Sequence, residues 1–380
     1  MFKILTLIGA RPQFIKAAAI SRAIQNSFAD NISEVIVHSG QHFDANMSGV
    51  FFEELAIPKP NYTFSLNGVG HALQTAEILA ELSKVLEKEK PNALLVYGDT
   101  NTTLAGALAA SKLQIPIVHV EAGLRSFNKS MPEEINRILC DHCSSLLICP
   151  TQTAMSNLVN EGMRIDNQEP CSADYPKIIA CGDIMYDNSQ YYAQFSTDEL
   201  LEQHHLEKDK FVLVTMHRPG NTDVAERLLS ICSSLMQLGE SYRIPMVFPM
   251  HPRTRKALQM HMTTDELNAF YKHPYIKVIS PASYLEMISL EANCKLVITD
   301  SGGVQKEAYF FEKPCLILRP ETEWVEIVEQ GNATLVDADS ELLKKKFDTY
   351  YYQEDLLYPS IFGDAKSAEY ICEQILINLS

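Results

Sequence analysis

The chain has no long apolar run and comparatively few basic residues. No stretch of its 380 residues approaches the roughly 18 uninterrupted apolar residues that a membrane-spanning helix needs. The apolar run at residues 1–8 is too short for a signal peptide and lacks a small-residue cleavage site, so we expect a buried first strand. Lys and Arg total 32 against 48 Asp and Glu, and the net charge of −16 argues against general nucleic-acid binding. A small phosphorylated ligand, by contrast, needs only a local positive pocket.

Motifs of several common enzyme classes are also missing. The sequence contains no G-x-G-x-x-G for a dinucleotide and no Gly-Lys pair for a Walker A loop. It contains neither H-E-x-x-H nor a comparable metal-ligand set, and no G-x-S-x-G of a serine hydrolase. We therefore expect an activity that needs neither a metal nor another cofactor.

The nine cysteines are odd in number and irregularly spaced, which is typical of free thiols in a reducing cytoplasm. Cys140 and Cys143 flank His142 in a C-x-x-C pattern, which could suggest a metal or redox site. No second pair stands at ligand spacing, so buried structural thiols are the favoured interpretation. The sequence thus predicts a cytoplasmic protein.

The length suggests two domains, and the pattern along the chain agrees. Short aliphatic runs alternate with helix-length segments from end to end, which favours an α/β fold with parallel sheets covered by helices on both faces. Predicted strands lie at residues 3–8, 34–38, 93–97, 117–120, 146–149, 211–215, 246–249, 276–279, 296–299, 315–318 and 333–336. The alternation pauses over the polar stretch at 167–176 and resumes with a hinge near Gly182. We therefore predict two doubly wound, Rossmann-like domains, 1–181 and 182–364, facing a central cleft.

Three carboxylates of the first half follow predicted strands or lie in the next loop. They are Asp99, Glu121 and Glu133. Because the carboxyl ends of parallel strands meet at one edge of a sheet, these side chains should gather on one rim, as general acid–base chemistry requires. A single such residue is more often a helix cap or a surface charge, but three of them with Arg125 and Arg137 nearby favour a functional site.

Other strand ends of the first half offer hydrogen-bonding and cationic groups. Arg11 and Lys16 flank the start of the first helix, where an anion is favoured, although two solvated surface charges would look the same. Gln41 and His42 follow the second strand in a run of polar side chains. We regard these four residues as candidates for substrate binding.

The second half has a glycine-rich turn between a strand and a helix. Ser301, Gly302 and Gly303 leave bare backbone amides at a helix start, which suits a phosphate, although a tight structural turn would also use glycine. Glu307, one helical turn later, could accept hydrogen bonds from the two hydroxyls of a ribose. Further candidates at strand ends are His217, Arg218, His251 and Arg319, and a hydrogen-bonded structural histidine is an open alternative for His217.

These motifs, taken in order, resemble the non-hydrolysing UDP-N-acetylglucosamine 2-epimerases. The resemblance is carried by Gly9-Ala10-Arg11-Pro12, Gly98-Asp99-Thr100, Glu121-Ala122-Gly123-Leu124-Arg125, Pro132-Glu133-Glu134-Ile135-Asn136-Arg137, Asp300-Ser301-Gly302-Gly303 and Gly363-Asp364. It implies the two-domain GT-B fold, with the last helix, 365–380, packed back on the first domain. It also implies a homodimer that epimerises a UDP-sugar at C2 by eliminating and re-adding UDP through a glycal, for cell-surface polysaccharides.

The resemblance also implies roles for single residues. Asp99, Glu121, Glu133 and His217 would be catalytic, while Ser301, Gly302, Gly303 and Glu307 would hold UDP, with Arg11, Lys16 and Arg218 near the phosphates and sugar. We add Gln41, His42, Arg137, His251 and Arg319 as substrate-binding candidates.

The sequence looks most similar to the branch that acts on UDP-2,3-diacetamido-2,3-dideoxyglucuronate, whose extra carboxylate would suit Arg253 or Arg255. UDP-GlcNAc stays open as the substrate. A hydrolysing epimerase and a GT-B glycosyltransferase are the alternative activities. The positions matching the allosteric glutamines and arginine of some members have other residues, so allosteric activation is not expected.

Overall fold

A computed structural model describes residues 1–41, 55, 57–67, 70–195 and 199–380; the side chain of Arg11 lies outside this description, as does the whole of His42. The described residues divide into two compact units. Unit 1 comprises Met1–Asn188 with Ser360–Ser380, and unit 2 comprises Ser189–Pro359. The sequence led us to place these boundaries at 181/182 and 364/365.

Unit 1 contains a seven-stranded sheet in the order β3-β2-β1-β4-β5-β6-β7, and every neighbouring pair is parallel. Its strands are β1 (Phe2–Ile8), β2 (Ile32–His38), β3 (Tyr62–Thr63), β4 (Ala93–Tyr97), β5 (Ile117–Val120), β6 (Leu146–Cys149) and β7 (Lys177–Ala180). Its helices are α1 (Arg11–Ser27), α2 (His71–Glu89), α3 (Asn101–Lys112), α4 (Pro132–Cys143) and α5 (Gln152–Asn160). Helix α6 (Ile184–Ala193) includes the boundary between the units.

Unit 2 contains a six-stranded parallel sheet in the order β10-β9-β8-β11-β12-β13. Its strands are β8 (Val212–Thr215), β9 (Met246–Pro249), β10 (Ile276–Ile279), β11 (Leu296–Thr299), β12 (Cys315–Ile317) and β13 (Ala333–Leu335). Its helices are α7 (Glu199–Gln203), α8 (Pro219–Thr222), α9 (Ala225–Tyr242), α10 (Pro252–His261), α11 (Thr264–Lys272), α12 (Tyr284–Asn293), α13 (Gly302–Phe310), α14 (Val325–Glu329) and α15 (Ser340–Tyr352).

The central strands are predominantly apolar, and helices cover both faces of each sheet. All five residues of β4 and all four of β8 are buried, as parallel strands covered on both faces require. Hydroxyl side chains fix the start of several helices. Thr100 accepts a hydrogen bond from the Thr103 amide at the start of α3, and Ser283 does the same for Glu286 in α12.

The last helix, α16 (Ser367–Leu379), packs against α1 within unit 1. Ile371, Cys372 and Ile375 are fully buried on one face of this helix. At its start the Asp187 carboxylate accepts a hydrogen bond from the Ala368 amide at 2.7 Å. The helical spacing of apolar residues in this tail is therefore explained by packing.

The prediction of two doubly wound parallel sheets is confirmed. The strands added by the structure are β3 and β7, which are short and lie at the two edges of the first sheet. All nine cysteines are free thiols, with Cys140 buried and Cys143 half-buried. Within the described residues, no helix is long and apolar enough to cross a membrane.

Candidate active site

Asp99 follows Gly98 in the turn after β4, and glycine makes this turn possible. Gly98 has a φ of +63°, and a Cβ there would lie 3.1 Å from Glu121 Oε2 and 3.3 Å from Lys16 Nζ. The backbone carbonyl of Asp99 accepts a hydrogen bond from Asn136 Nδ2 at 2.8 Å, and its carboxylate lies 2.5 Å from Arg137 NH2. Asp99 is thus held by α4 through both its main chain and its side chain.

Glu121 lies directly after β5, the strand that pairs with β4. Its φ of +72° lies in the left-handed region, which a non-glycine residue adopts at a cost of about 1–3 kcal/mol. The carboxylate forms an ion pair with Lys16 of α1, and both side chains are largely buried. Its backbone amide and that of Ala122 both donate to the carbonyl of Ile148.

Glu133 and Glu134 are adjacent in the first turn of α4 but have different surroundings. Glu134 is buried and accepts hydrogen bonds from Ser126, from the amide of Phe127 and from Arg137. Glu133 is half-buried, and its charge acts on Asp99. Glu134 therefore holds the preceding loop, whereas Glu133 belongs to the charged cluster around Asp99.

The three carboxylates interact through space. Burial raises the pKa of Asp99 above its ordinary value; the positive charge of Arg137 opposes this, Glu121 adds to it, and Lys16 and Glu133 contribute smaller effects of opposite sign. The structure thus brings Asp99, Glu121 and Glu133 together with two cations at the carboxyl ends of the unit 1 strands.

Gln41 is placed at the start of α3, where its side-chain oxygen accepts hydrogen bonds from the amide and hydroxyl of Thr102 at 3.0 and 2.7 Å. Gln13 was missed by the sequence reasoning. Its side chain accepts from the amides of Gly9 and Ala10 and donates to the carbonyl of Tyr97, so it joins the loops after β1 and β4.

Arg125 does not lie among the three carboxylates, contrary to our expectation. It forms ion pairs with Asp141 at 2.7 Å and with Glu161 at 2.6 Å, and its guanidinium is buried. Nothing in the motif itself signalled this, because Glu161 lies 36 residues further along the chain.

In unit 2, the loop after β8 is organised by Asp300, which follows β11 and is fully buried. Its carboxylate accepts hydrogen bonds from the amides of His217 and Arg218 at about 3 Å and from Asn221 Nδ2 at 3.1 Å. The imidazole of His217 lies 3.6 Å from Asp300 and 5.3 Å from the ring of His251, measured between centroids.

Burial lowers the pKa of His217; Asp300 opposes the shift, and the charges of His251, Arg218 and Arg253 add to it. The imidazole is therefore neutral near pH 7 and able to accept a proton.

Ser301, Gly302 and Gly303 form the start of α13, as the sequence predicted. A Cβ at Gly302 would lie 2.2 Å from Glu323 Oε1, so the helix start approaches the loop after β12 closely. At Gly303 a Cβ would meet its nearest neighbours, Glu307 and Ser301, only at 3.8 and 3.9 Å. Glu307 is buried in the next turn of the same helix.

Two arginines lie near this helix start. Arg319 forms an ion pair with Glu323 at 2.9 Å, and Arg218 NH2 lies 3.8 Å from where a Cβ of Gly302 would be. His251 is exposed and caps α10 by accepting a hydrogen bond from the Arg253 amide. Two potential anion-binding groups, the guanidinium groups of Arg218 and Arg319, therefore lie near the glycine-rich turn in unit 2, together with the Glu323 carboxylate.

The segment at 167–175 lines a cavity of about 560 Å³ in unit 1, together with residues at the ends of α4 and α5. Neither Asp99, Glu121 nor Glu133 lines this cavity. Across the part of the chain that the structure describes, no group of three or more His, Cys, Asp or Glu side chains is arranged to hold a metal ion.

Two doubly wound parallel sheets, one with a carboxylate cluster and the other with a glycine-rich helix start, define a GT-B-like α/β protein. The chain belongs to the UDP-N-acetylglucosamine 2-epimerase family, whose family model matches residues 25–376. The resemblance seen in the motifs is thereby confirmed.

Individual relatives match over almost the whole chain. The UDP-2,3-diacetamido-2,3-dideoxy-D-glucuronate 2-epimerase of Pseudomonas aeruginosa is 47% identical, with 98% of this chain and 99% of the relative covered. A UDP-N-acetylglucosamine 2-epimerase homolog of Methanococcus maripaludis is 44% identical over 99% of this chain and 100% of its own length. The crystal structure of Methanocaldococcus jannaschii UDP-GlcNAc 2-epimerase in complex with UDP-GlcNAc and UDP is 39% identical, covers 99% and 100% of the two chains, and has a TM-score of 0.83.

Proposed function

We propose that this protein is a non-hydrolysing 2-epimerase of a UDP-linked 2-acetamido sugar. The observation that carries this proposal is the cluster of Asp99, Glu121 and Glu133 with Lys16 and Arg137 at the strand ends of unit 1. A packed core does not need three interacting carboxylates, whereas inversion of a carbon centre needs a base and an acid on opposite faces.

The chemistry explains why several carboxylates are required. The C2 proton of a 2-acetamido sugar is not acidic, because no carbonyl adjoins C2. We infer that one base removes this proton while the C1–O bond breaks and its electron pair leaves with UDP, forming a glycal. UDP then adds back to C1, and an acid returns a proton to C2 from the opposite face, so that atoms and charge balance without a redox step.

The residues divide between these tasks. We assign proton transfer to Asp99, Glu121, Glu133 and His217. Ser301, Gly302, Gly303 and Glu307 would bind UDP, because backbone amides at a helix start stabilise a departing diphosphate. The other residues assigned to substrate binding are Arg11, Lys16, Gln41, His42, Arg137, Arg218, His251 and Arg319.

UDP-2,3-diacetamido-2,3-dideoxyglucuronate is the substrate we favour, because the 2-epimerase named for this sugar nucleotide is 47% identical to this chain. UDP-GlcNAc is the second candidate, favoured by the 39% identical structure that contains it. Arg253 is ion-paired with Asp223 at 2.5 Å, so the exposed Arg255 is the better candidate for the extra carboxylate.

The decisive experiment is NMR of each substrate incubated with the enzyme in deuterated water, without an acceptor. We expect deuterium at C2 of the product and an intact UDP-sugar. Product without deuterium at C2 excludes the elimination route. Free sugar and UDP indicate a hydrolysing epimerase, and no reaction until an acceptor is added indicates a glycosyltransferase.

The carboxylate assignment is tested in the same assay. Asp99→Asn, Glu121→Gln and Glu133→Gln should each lower kcat by at least about 100-fold, the effect of losing a general acid or base. Glu87→Gln, on the exposed side of α2, is the matched control and should leave kcat unchanged. Full activity of all three variants would contradict the assignment.

We further propose that the enzyme is a cytoplasmic homodimer that supplies cell-surface polysaccharide synthesis. The free thiols of all nine cysteines support the compartment. Light scattering of the purified protein tests the homodimer.

A further inference from the structure

His119 is a fully buried histidine in the middle of the unit 1 sheet, and the mechanism above does not use it. It lies in β5, two residues before Glu121. Its ring nitrogens have different partners. Nδ1 lies 2.6 Å from Asp141 Oδ1, and Nε2 lies 2.8 Å from the backbone carbonyl oxygen of Gly98.

The carboxylate of Asp141 and the carbonyl of Gly98 are both hydrogen-bond acceptors, and the Cys140 side chain is a further neighbour of the ring. The carbonyl of Gly98 can only accept, so Nε2 must carry a hydrogen. The other oxygen of Asp141 receives Arg125 NH1 at 2.7 Å and the amide of Gly123 at 3.1 Å, as expected of a carboxylate. The ion pair with Arg125 keeps Asp141 ionised, and a carboxylate can only accept, so we infer that Nδ1 carries a hydrogen as well and that the ring is an imidazolium.

The charges around the ring alternate in sign. Asp141 lies between His119 and Arg125, and Arg125 lies between Asp141 and Glu161, whose other oxygen is 3.2 Å from His142 Nε2. A buried cation is tolerated when it is paired and hydrogen-bonded in this way.

The titration of the ring agrees with this geometry. Burial lowers the pKa of His119, but Cys140 and the Asp141 carboxylate raise it more, and the pKa lies well above the ordinary value for histidine.

The Gly98 turn is the element that His119 holds. The amide of Gly98 donates to the carbonyl of Val120 at 3.0 Å, and the carbonyl of Gly98 accepts from His119. Both hydrogen-bonding groups of the Gly98 backbone are therefore bound to β5. Gly98 has a positive φ, immediately precedes Asp99 and lies against Glu121 and Lys16. A shift of the Gly98 carbonyl would therefore move Asp99 relative to Glu121.

We propose that His119 is a positioning residue: its charged ring, held by Asp141, fixes the Gly98 turn and so sets the placement of Asp99 beside Glu121. The link to turnover rests on the proposed function, whereas the charge state of the ring does not.

The charge state is tested by long-range ¹H–¹⁵N NMR of the full-length, ¹⁵N-labelled protein at pH 8, where an ordinary histidine is neutral. We expect one of the eleven histidines to show two protonated ring nitrogens, and this signal should be missing in His119→Gln. A wild-type spectrum in which His119 has one bare nitrogen overturns the proposal, whatever the enzyme catalyses. His119→Gln serves here only to assign the signal.

The positioning role is tested by kinetics of His119→Gln and Asp141→Asn. We expect kcat to fall roughly 10–100-fold in both, because small misplacements of a reacting group cost that much. KM and the affinity for UDP alone should change less than kcat, since Ser301, Gly302, Gly303 and Glu307, the main residues assigned to UDP, lie in unit 2. In Asp141→Asn the His119 ring should also lose one proton at pH 8.

His142→Gln is the matched control, because His142 contacts the far end of the same network and its side chain is 47% exposed. It should retain wild-type kcat. Undiminished kcat in folded His119→Gln overturns the positioning role. Absence of C2 exchange in the wild type would instead count against the proposed function, and the NMR result would still decide the charge state.

Discussion

At the scale of single residues, burial affects the pKa of Asp99 more than its ion pair with Arg137 does. Its carboxylate contacts Arg137, yet its pKa is raised because loss of solvation outweighs the attraction of the guanidinium. A base must be ionised to accept a proton. If Asp99 acts as a base, activity is lost as the pH falls through this raised pKa.

We therefore expect the acidic limb of the kcat/KM profile to lie above the ordinary aspartate value of 3.8. Arg137→Gln should move this limb to higher pH, because a charge that favours the carboxylate is removed. Arg137→Lys keeps the positive charge and should leave the limb closer to its original position. A limb that is identical in all three proteins would show that Asp99 is not the group that titrates.

Glu291 in α12 differs from Asp99, because its buried carboxyl group has no cationic partner among the described residues. It is fully buried, and neither side-chain oxygen has a hydrogen-bond partner among the residues that the structure describes. Burial raises its pKa well above the ordinary value, and the nearby charge of Glu307 raises it further. Because the folded-state pKa of Glu291 is raised, this group favours the folded state most at low pH. Its contribution to the free energy of unfolding falls as the pH rises above about 4.5, the unfolded value.

Glu291→Met should therefore stabilise the protein at pH 8 by roughly 1–3 kcal/mol, the cost of a buried unsatisfied polar group. The gain should shrink at pH 5, where the carboxyl is more protonated. Urea denaturation at both pH values measures it, with the exposed Glu354→Met as a control that should change little. A destabilised Glu291→Met protein at pH 8 would mean that the carboxylate has a stabilising partner.

Residue placement was predictable from sequence only where the topology decides it. Asp99 and Glu121 follow neighbouring strands, and parallel pairing of β4 with β5 brings their strand ends together without further information. The roles of Arg125 and Gln13 were not predictable, because Arg125 pairs with Asp141 and Glu161, and the groups to which Gln13 donates lie 84–90 residues away in the chain. A side chain's choice among such distant acceptors depends on packing that no local pattern specifies.

At the scale of elements, the last helix shows how a distant segment completes a unit. Helix α16 lies at the end of the chain but packs on α1, and Ile371 on its inner face is fully buried. Ile371→Ala should destabilise the protein by about 2–5 kcal/mol through lost burial and a residual cavity. Ile377→Ala on the same helix removes a side chain that is 71% exposed and should cost less than about 0.5 kcal/mol. Similar melting temperatures for the two variants would show that α16 contributes little to the stability of unit 1.

The buried strands were easier to predict from the sequence than the short strands at the edges of the first sheet. Strands such as β4 and β8 were recognisable because they are apolar apart from Thr215 at the end of β8, while β3 has only two residues and β7 begins with a lysine. Edge strands are paired on one side only, so their sequences need less apolar character and give a weaker pattern.

At the scale of the whole molecule, the net charge of −16 coexists with cations concentrated around the functional residues. Lys16 and Arg137 pair with the carboxylates of unit 1, while Arg218 and Arg319 lie near the helix start of unit 2. The global excess of negative charge favours solubility and disfavours nucleic acid, whereas an anionic ligand responds to the local charges. Overall composition therefore excluded partners but could not indicate the substrate.

Because the chain forms two units, the response of each unit to UDP tests whether unit 2 holds the nucleotide. If the helix start of α13 binds the diphosphate, UDP alone should slow amide exchange most in peptides that contain Ser301–Glu307. At a concentration 100-fold above Kd, UDP should also raise the free energy of unfolding by about 2.7 kcal/mol. Gly303→Ala separates binding from folding, because the nearest side-chain atoms to its Cβ, those of Glu307 and Ser301, would lie 3.8 and 3.9 Å away. This variant should keep its melting temperature but bind UDP at least about tenfold more weakly, since the methyl group occupies the space that a phosphate needs. Hydrogen exchange measures the protection by UDP, and calorimetry measures its affinity. A Gly303→Ala variant that binds UDP as tightly as the wild type would contradict the assignment of UDP to this helix.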